Sequence, residues 1–147
     1  DKSFLGNNPI KRAEARRIQQ WFDEKFYHEV SKYTLDQRYF NRYSPERSSP
    51  NSEILRVARR NLNTHLSYIE YLLETRKYLA SDQLSVADFA AAAQLSILDY
   101  FGDINWEHYL PAKDWYSLIK SYKIFSDILK DRLPGIEPSK NYSQLDF

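Results

Sequence analysis

The sequence predicts an all-α fold, a bundle of five or six helices followed by an extended tail, and three observations carry that expectation. The 147 residues include only 3 Gly and 6 Pro, so the turn signals that an all-β sandwich needs every ~8–12 residues are missing. Those few breakers sit near Gly6 and Pro9, Pro45 and Pro50, Gly102 and Pro111, and Pro134 to Pro138, leaving long unbroken stretches between them. Within the stretches, apolar residues recur at spacings of three and four, the period of one helix face. With 42% hydrophobic and 28% charged residues, the chain can bury a core, which excludes a disordered or fibrous class.

Each element follows from its own residues. Asn8-Pro9 offers a capping side chain and then a proline at the first helical position, where a missing N–H costs nothing. The helix it opens carries Ile18, Trp21/Phe22, Phe26, Val30 and Tyr33 on one face and is expected to run to about Tyr33. A basic, aromatic connection follows (Leu35, Arg38, Tyr39, Phe40, Arg42, Tyr43, Arg47), and the Ser-Ser-Pro-Asn-Ser run at 48–52 marks a break and a new cap. Leu55, Ala58, Leu62, His65/Leu66, Ile69 and Leu72/Leu73 then keep the helical period, which predicts a second helix on the order of 30–40 Å long, antiparallel to the first.

The strongest local signal is Leu84-Ser85-Val86-Ala87-Asp88-Phe89. Ser85 and Asp88 have the spacing of a capping box, with Asp in the usual Glu/Gln place, and Leu84 and Phe89 have that of a hydrophobic staple. Ala90 to Ala93, then Leu95, Ile97 and Leu98, are apolar on nearly every side, so this helix belongs at the centre of the bundle. Gly102 is placed to end it in a left-handed cap. Two shorter amphipathic segments are expected near 112–121 and 124–133, Pro134-Gly135 stops the last, and Ile136 to Phe147 has no helical period.

Two long helices, a sharp capping box and a buried Ala-rich helix together resemble the C-terminal, all-helical domain of the glutathione transferase superfamily. The run Tyr78-Leu79-Ala80-Ser81-Asp82-Gln83-Leu84-Ser85-Val86-Ala87-Asp88 is similar to that family's signature, with Ser81 where Gly is usual. Asn8-Pro9 with Arg12-Ala13 resembles the family's first C-domain helix, and Trp115 with Lys120 to Phe125 its penultimate turn and last helix, although Lys123 stands where Pro is common. The resemblance implies a helical domain over residues 1–135 and a tail over 136–147. It also implies that glutathione is held mainly by a preceding thioredoxin-like domain that these residues do not encode. No cofactor and no catalytic residue are therefore expected in this chain, whereas glutathione remains possible for the parent. The family implies Arg17 and Trp21 as walls of a second-substrate pocket, Arg59 and Arg60 as parts of a dimer interface, and a homodimeric parent.

More narrowly, Arg12-Ala13-Glu14-Ala15-Arg16-Arg17, Trp21-Phe22-Asp23-Glu24-Lys25-Phe26, Arg132-Leu133-Pro134-Gly135 and the ending Tyr142-Ser143-Gln144-Leu145-Asp146-Phe147 resemble a bacterial subgroup that includes FtsZ-localised division proteins. That resemblance implies an adaptor that binds the tubulin-like polymer FtsZ through its C-terminal extension; the alternative is the electrophile-binding and dimerisation half of an active transferase. Tyr142, Leu145, Asp146 and Phe147 are the candidate partner-binding residues. Spaced apolar anchors on a short extended segment suit a partner-binding peptide, and they equally suit a tail folded back on its own domain.

The other functional classes find little support. Ser85 and Asp88 stand at cap spacing with no neighbouring His. His28, His65 and His108 have no metal-ligand spacing, and zero Cys excludes a disulfide, a thiolate zinc site and a cysteine nucleophile in these residues. No apolar run reaches the ~18–20 residues of a membrane span, so neither a metal nor a membrane is expected and the location is expected to be cytoplasmic. Residues 1–80 hold 15 Lys and Arg against 10 Asp and Glu, and 81–147 hold 6 against 10. This asymmetry reads as an anion-binding face or two helices facing an acidic partner, and not as a nucleic-acid stripe. Because the chain starts at Asp1 and contains no Met, it is expected to be part of a longer protein.

Overall fold

A computed structural model describes residues 4–147. The helices are α1 (Pro9–Gln20), α2 (Lys32–Arg38), α3 (Ser52–Leu73), α4 (Val86–Tyr100), α5 (Leu110–Ser121) and the short α6 (Lys123–Ser126). The first two are joined without a break by a π-helical segment, Trp21–Ser31. Short 3-10 turns occupy Phe40–Arg42, Trp106–His108 and Asp127–Lys130. Among the described residues the only β pairing is an isolated bridge between Leu133 and Ile136.

Caps start the helices where the sequence places them. Asn8 Oδ1 accepts from the Lys11 N–H at 2.9 Å, and Asn51 Oδ1 accepts from the N–H groups of Glu53 and Ile54 at 3.0 and 3.2 Å. Gly102, at φ +71°, ends α4 in a Schellman turn, with Asp103 N–H on the Leu98 carbonyl at 2.9 Å and Gly102 N–H on that of Asp99 at 3.0 Å. Two boundaries differ from expectation. The first helical run extends to Arg38, and the last helical turn stops at Lys130, with Asp131 already extended at ψ 141°.

The π segment has a cause in the sequence. Ile18, Phe22, Phe26, Val30 and Thr34 are buried at a strict four-residue spacing. An α-helix rotates about 40° past a full turn every four residues, so five such positions would drift around its surface. Wider turns closed by bonds to the fifth residue back, as from Lys32 N–H to the Tyr27 carbonyl, keep them on one line. That line faces α3 and α4.

The core lies around α4, which packs against α1, the π segment and α5. Ala87, Ala91, Ala92, Leu95 and Leu98 are buried, and the alanines let neighbouring helices approach closely. The tail is not helical, but it is not free either. Ser139 N–H donates to the Tyr100 carbonyl at 2.8 Å, and Tyr142, 3% exposed, belongs to the same core. Among the described residues, no helix is long and apolar enough to cross a membrane.

Candidate functional site

Asp88 organises the start of α4. Its Oδ2 accepts from Ser85 N–H at 2.9 Å and Ser85 Oγ at 3.3 Å, and its Oδ1 accepts from Leu79 N–H and Trp115 Nε1, each at 2.9 Å. Ser85 Oγ in return accepts from Ala87 N–H at 3.3 Å and from the Asp88 N–H, the latter closing the capping box. Burial pushes the Asp88 carboxyl above its ordinary range, against the pull of these donors. Leu84 and Phe89 pack on the core beside it, and the Phe89 ring meets Phe4 edge-on at 5.4 Å. The arrangement fastens the 78–85 loop, α4 and α5 together, and every lone pair of the carboxylate that the geometry reveals is engaged in that task.

A second buried carboxylate, Asp99, lies about three turns further along α4 and so on the same face as Asp88. It accepts from Trp106 Nε1 at 3.0 Å and Tyr116 Oη at 3.4 Å, and faces Lys120 Nζ at 3.7 Å. Lys120 is fully buried and also donates to the Asn141 carbonyl at 2.8 Å. Burial raises the Asp99 carboxyl and lowers the Lys120 amine, and their mutual attraction opposes both shifts. The tail covers this cluster. Ser139 Oγ donates to the Asp99 carbonyl at 2.6 Å, and the Phe147 ring lies over Lys120 Nζ at 4.3 Å and Lys113 Nζ at 5.3 Å, with Trp106 edge-on at 5.5 Å.

The four candidate tail residues therefore divide. Tyr142 is a core residue, its hydroxyl donating to the Ile128 carbonyl at 3.1 Å and its ring edge-on to Tyr100 at 4.9 Å; it is no surface anchor, because the tail folds back. Phe147 is half-buried in the cationic cluster. Leu145, 48% exposed, and Asp146 point outward between these two fixed points.

Arg17 and Trp21 face α3. Arg17 donates to both carboxylate oxygens of Glu14 at 2.8 and 2.9 Å and to Tyr68 Oη at 3.0 Å, while the Trp21 and Tyr68 rings stack obliquely at 4.6 Å. Arg76 adds a second guanidinium to Glu14 at 2.9 Å, and the two together lower the Glu14 pKa to about 2. Trp21 Nε1 donates to His65 Nδ1 at 3.0 Å, and His65 Nε2 faces Glu29 Oε2 at 2.9 Å. That pairing requires a neutral imidazole with its proton on Nε2, and burial correspondingly lowers the His65 pKa. Both residues named as pocket walls thus make bonds within the chain, although the Arg17 side chain remains 49% exposed.

Arg59 and Arg60 are exposed on α3. Arg59 leans towards Asp103 at 3.7 Å, and Arg38 holds the same carboxylate at 2.7 Å. Sequence reasoning passed over Asp99 and Asp103, and read Lys120 and His65 without their buried polar partners. A usable signal existed for the first, since a lone Asp late in an otherwise apolar helix must bury with partners. Among the described residues, no group of three or more His, Cys, Asp or Glu is placed to hold a metal ion.

The geometry is that of an interlocked helical bundle, and comparisons with known proteins agree. The family description "Glutathione S-transferase, C-terminal domain" matches residues 30–117. FtsZ-localized protein A of Caulobacter vibrioides is 48% identical over 144 residues, 98% of this chain and 63% of that protein. Among solved structures, a glutathione S-transferase from Rhodospirillum rubrum F11 is 41% identical at a TM-score of 0.93, covering 100% of this chain and 66% of that one. FzlA from C. crescentus is 48% identical at 0.93, covering 98% and 63%. The chain thus spans less than two thirds of the curated relative's length. With the long α3, the buried Ala-rich α4 and its capping box lying inside the matched region, the chain belongs to the glutathione S-transferase C-terminal domain family.

Proposed function

We propose that this chain is the helical half of a transferase-like adaptor that binds FtsZ through the C-terminal tail and the surface beside it. The likeness to FtsZ-localized protein A runs through 98% of the chain, tail included. The observation that carries the reading is the tail's geometry. Tyr142 and Phe147 are held by the domain, so Leu145 and Asp146 are presented on a short span anchored at both ends, and a preordered segment loses less entropy on binding. The reading includes a cytoplasmic, homodimeric parent, with exposed Arg59 and Arg60 on the subunit face, and no cofactor held by this chain.

The test is co-sedimentation of the full-length protein with FtsZ polymer. A Leu145→Ala, Asp146→Ala variant is expected to lose pelleting while keeping wild-type helicity; undiminished pelleting overturns the proposal. Deleting 136–147 is the poorer experiment, since it removes Tyr142 from the core and uncovers Lys120 and Asp99. A second reading, the electrophile-binding half of an active glutathione transferase, is favoured by similar structures described as glutathione S-transferases. Saturable glutathione binding with turnover by the full-length protein would select it, with any glutathione held by a preceding domain.

A further inference from the structure

The basic, aromatic connection between α2 and α3 takes no part in the function above, yet it lines the largest cavity described, a cleft of about 770 Å³ against the turn at Pro134 to Ile136. That volume falls within the ~300–1,000 Å³ of ordinary ligand sites. Three arginines, Arg38, Arg42 and Arg47, line it together with Leu55, Phe101 and Ile136, and no carboxylate does. The arginines are unequally committed. Arg38 is tied to Asp103 and lies over the Phe101 ring at 5.7 Å, so it forms the cleft's fixed inner wall. Arg42 gives one N–H to the Gly135 carbonyl at 3.2 Å and keeps its others. The Arg47 side chain has no hydrogen bond or ion pair among the described residues.

The backbone on this side is also unspent. Residues 47–50 run without helix or turn, and none of their main-chain groups bonds to another main-chain group among the described residues. The Ser48 carbonyl is the exception in kind, accepting from the Asn41 side chain at 3.0 Å. Charged forks, an apolar floor and unpaired main-chain groups in one cleft match a ligand carrying carboxylates, apolar side chains and a free main chain.

The geometry points to this cleft as a docking site for an acidic, apolar peptide segment of a partner protein. Arg42 and Arg47 would take its carboxylates in bidentate fashion, Phe101, Leu55 and Ile136 its apolar side chains, and the 47–50 edge its backbone. The site is separate from exposed Leu145 and Asp146, and its occupancy does not depend on the tail reading.

The test is fluorescence polarisation of the full-length protein with a short fluorescein-labelled peptide alternating glutamate and phenylalanine. Saturable binding that weakens with salt is expected. Arg47→Glu, which breaks no internal contact, should weaken it about tenfold without moving the melting temperature, Arg42→Glu should weaken it as much while also losing the bond to the Gly135 carbonyl, and Leu145→Ala should leave it unchanged. Equal binding by the Arg42→Glu, Arg47→Glu double variant, or by a peptide with lysine in place of glutamate, overturns the proposal. So does a preference for single-stranded DNA or for phosphatidylglycerol vesicles over the acidic peptide, which would give the cleft to another class of anion.

Discussion

Removing the Asp88 carboxylate should cost the fold more than any other single polar substitution. It is fully buried and satisfies three N–H donors, those of Leu79, Ser85 and Trp115, each at 2.9 Å. Asp88→Ala leaves all three unpaired in the interior, at ~1–3 kcal/mol each. Part of that is returned because burial already disfavours the charged carboxylate, which gives a net loss of about 4 kcal/mol. Asp88→Asn keeps one acceptor oxygen for Leu79 and Trp115 and turns its amide towards Ser85, where Oγ can accept it but the N–H cannot be served; about 1–2 kcal/mol is expected. Chemical denaturation followed by circular dichroism measures both, and at about 3 °C per kcal/mol for a domain of this size the alanine variant should melt about 12 °C lower. The pH dependence adds a sign. Because the folded pKa of Asp88 is raised above the ordinary 3.8, its titration contributes stability that is fully present below that value and is lost as pH rises through the elevated one. The advantage of Asp88 over Asn should therefore shrink between acidic and neutral pH. An alanine variant within about 1 kcal/mol of wild type, or one no worse than asparagine, would refute the idea that this carboxylate is what joins the 78–85 loop to α4 and α5.

Two further outcomes follow from the same structure. His65 is neutral when folded and has a lowered pKa, so its contribution is fully present above the unfolded value of 6.5 and is lost as pH falls from there to the folded value; a His65 ring that titrates at or above 6.5 by NMR would contradict the Trp21-to-Nδ1 bond. Tyr142→Ala should cost about 3 kcal/mol through the cavity it leaves, whereas Tyr142→Phe, losing only the bond to the Ile128 carbonyl, should cost about 1 kcal/mol; equal stability of the two by urea denaturation would mean that the tail does not close the core.

The particular elements show where sequence reasoning reaches and where it stops. Asn8-Pro9, Ser85 with Asp88, and Gly102 declare helix ends because their bonds are to neighbours a few residues away, and all three appear in the structure as read. The apolar stripe from Ile18 to Val30 is equally visible, but its expected end is Tyr33, which is exposed, whereas buried Thr34 continues the four-residue line; packing of that line against α3 and α4 explains why it winds as a π-helix. Candidate roles fared differently. Arg17 and Trp21 are expected as walls of a second-substrate pocket; the structure adds that they hold internal bonds to Glu14, Tyr68 and His65 while Arg17 stays about half exposed, which the sequence did not indicate. Tyr142 looks like an anchor for a partner, yet it is buried beside Tyr100. What the residues determined by themselves is the all-α class, the caps and the central place of α4, since these depend on short-range hydrogen bonding and on apolar period. Which side chains are spent inside the domain and which, like Leu145, Asp146 and Arg47, face outward was decided by tertiary structure. Those contacts join residues 40 to 93 positions apart, such as Trp21 with His65, Asp99 with Ser139 and Arg42 with Gly135, and no local pattern specifies which long-range partner each group will meet.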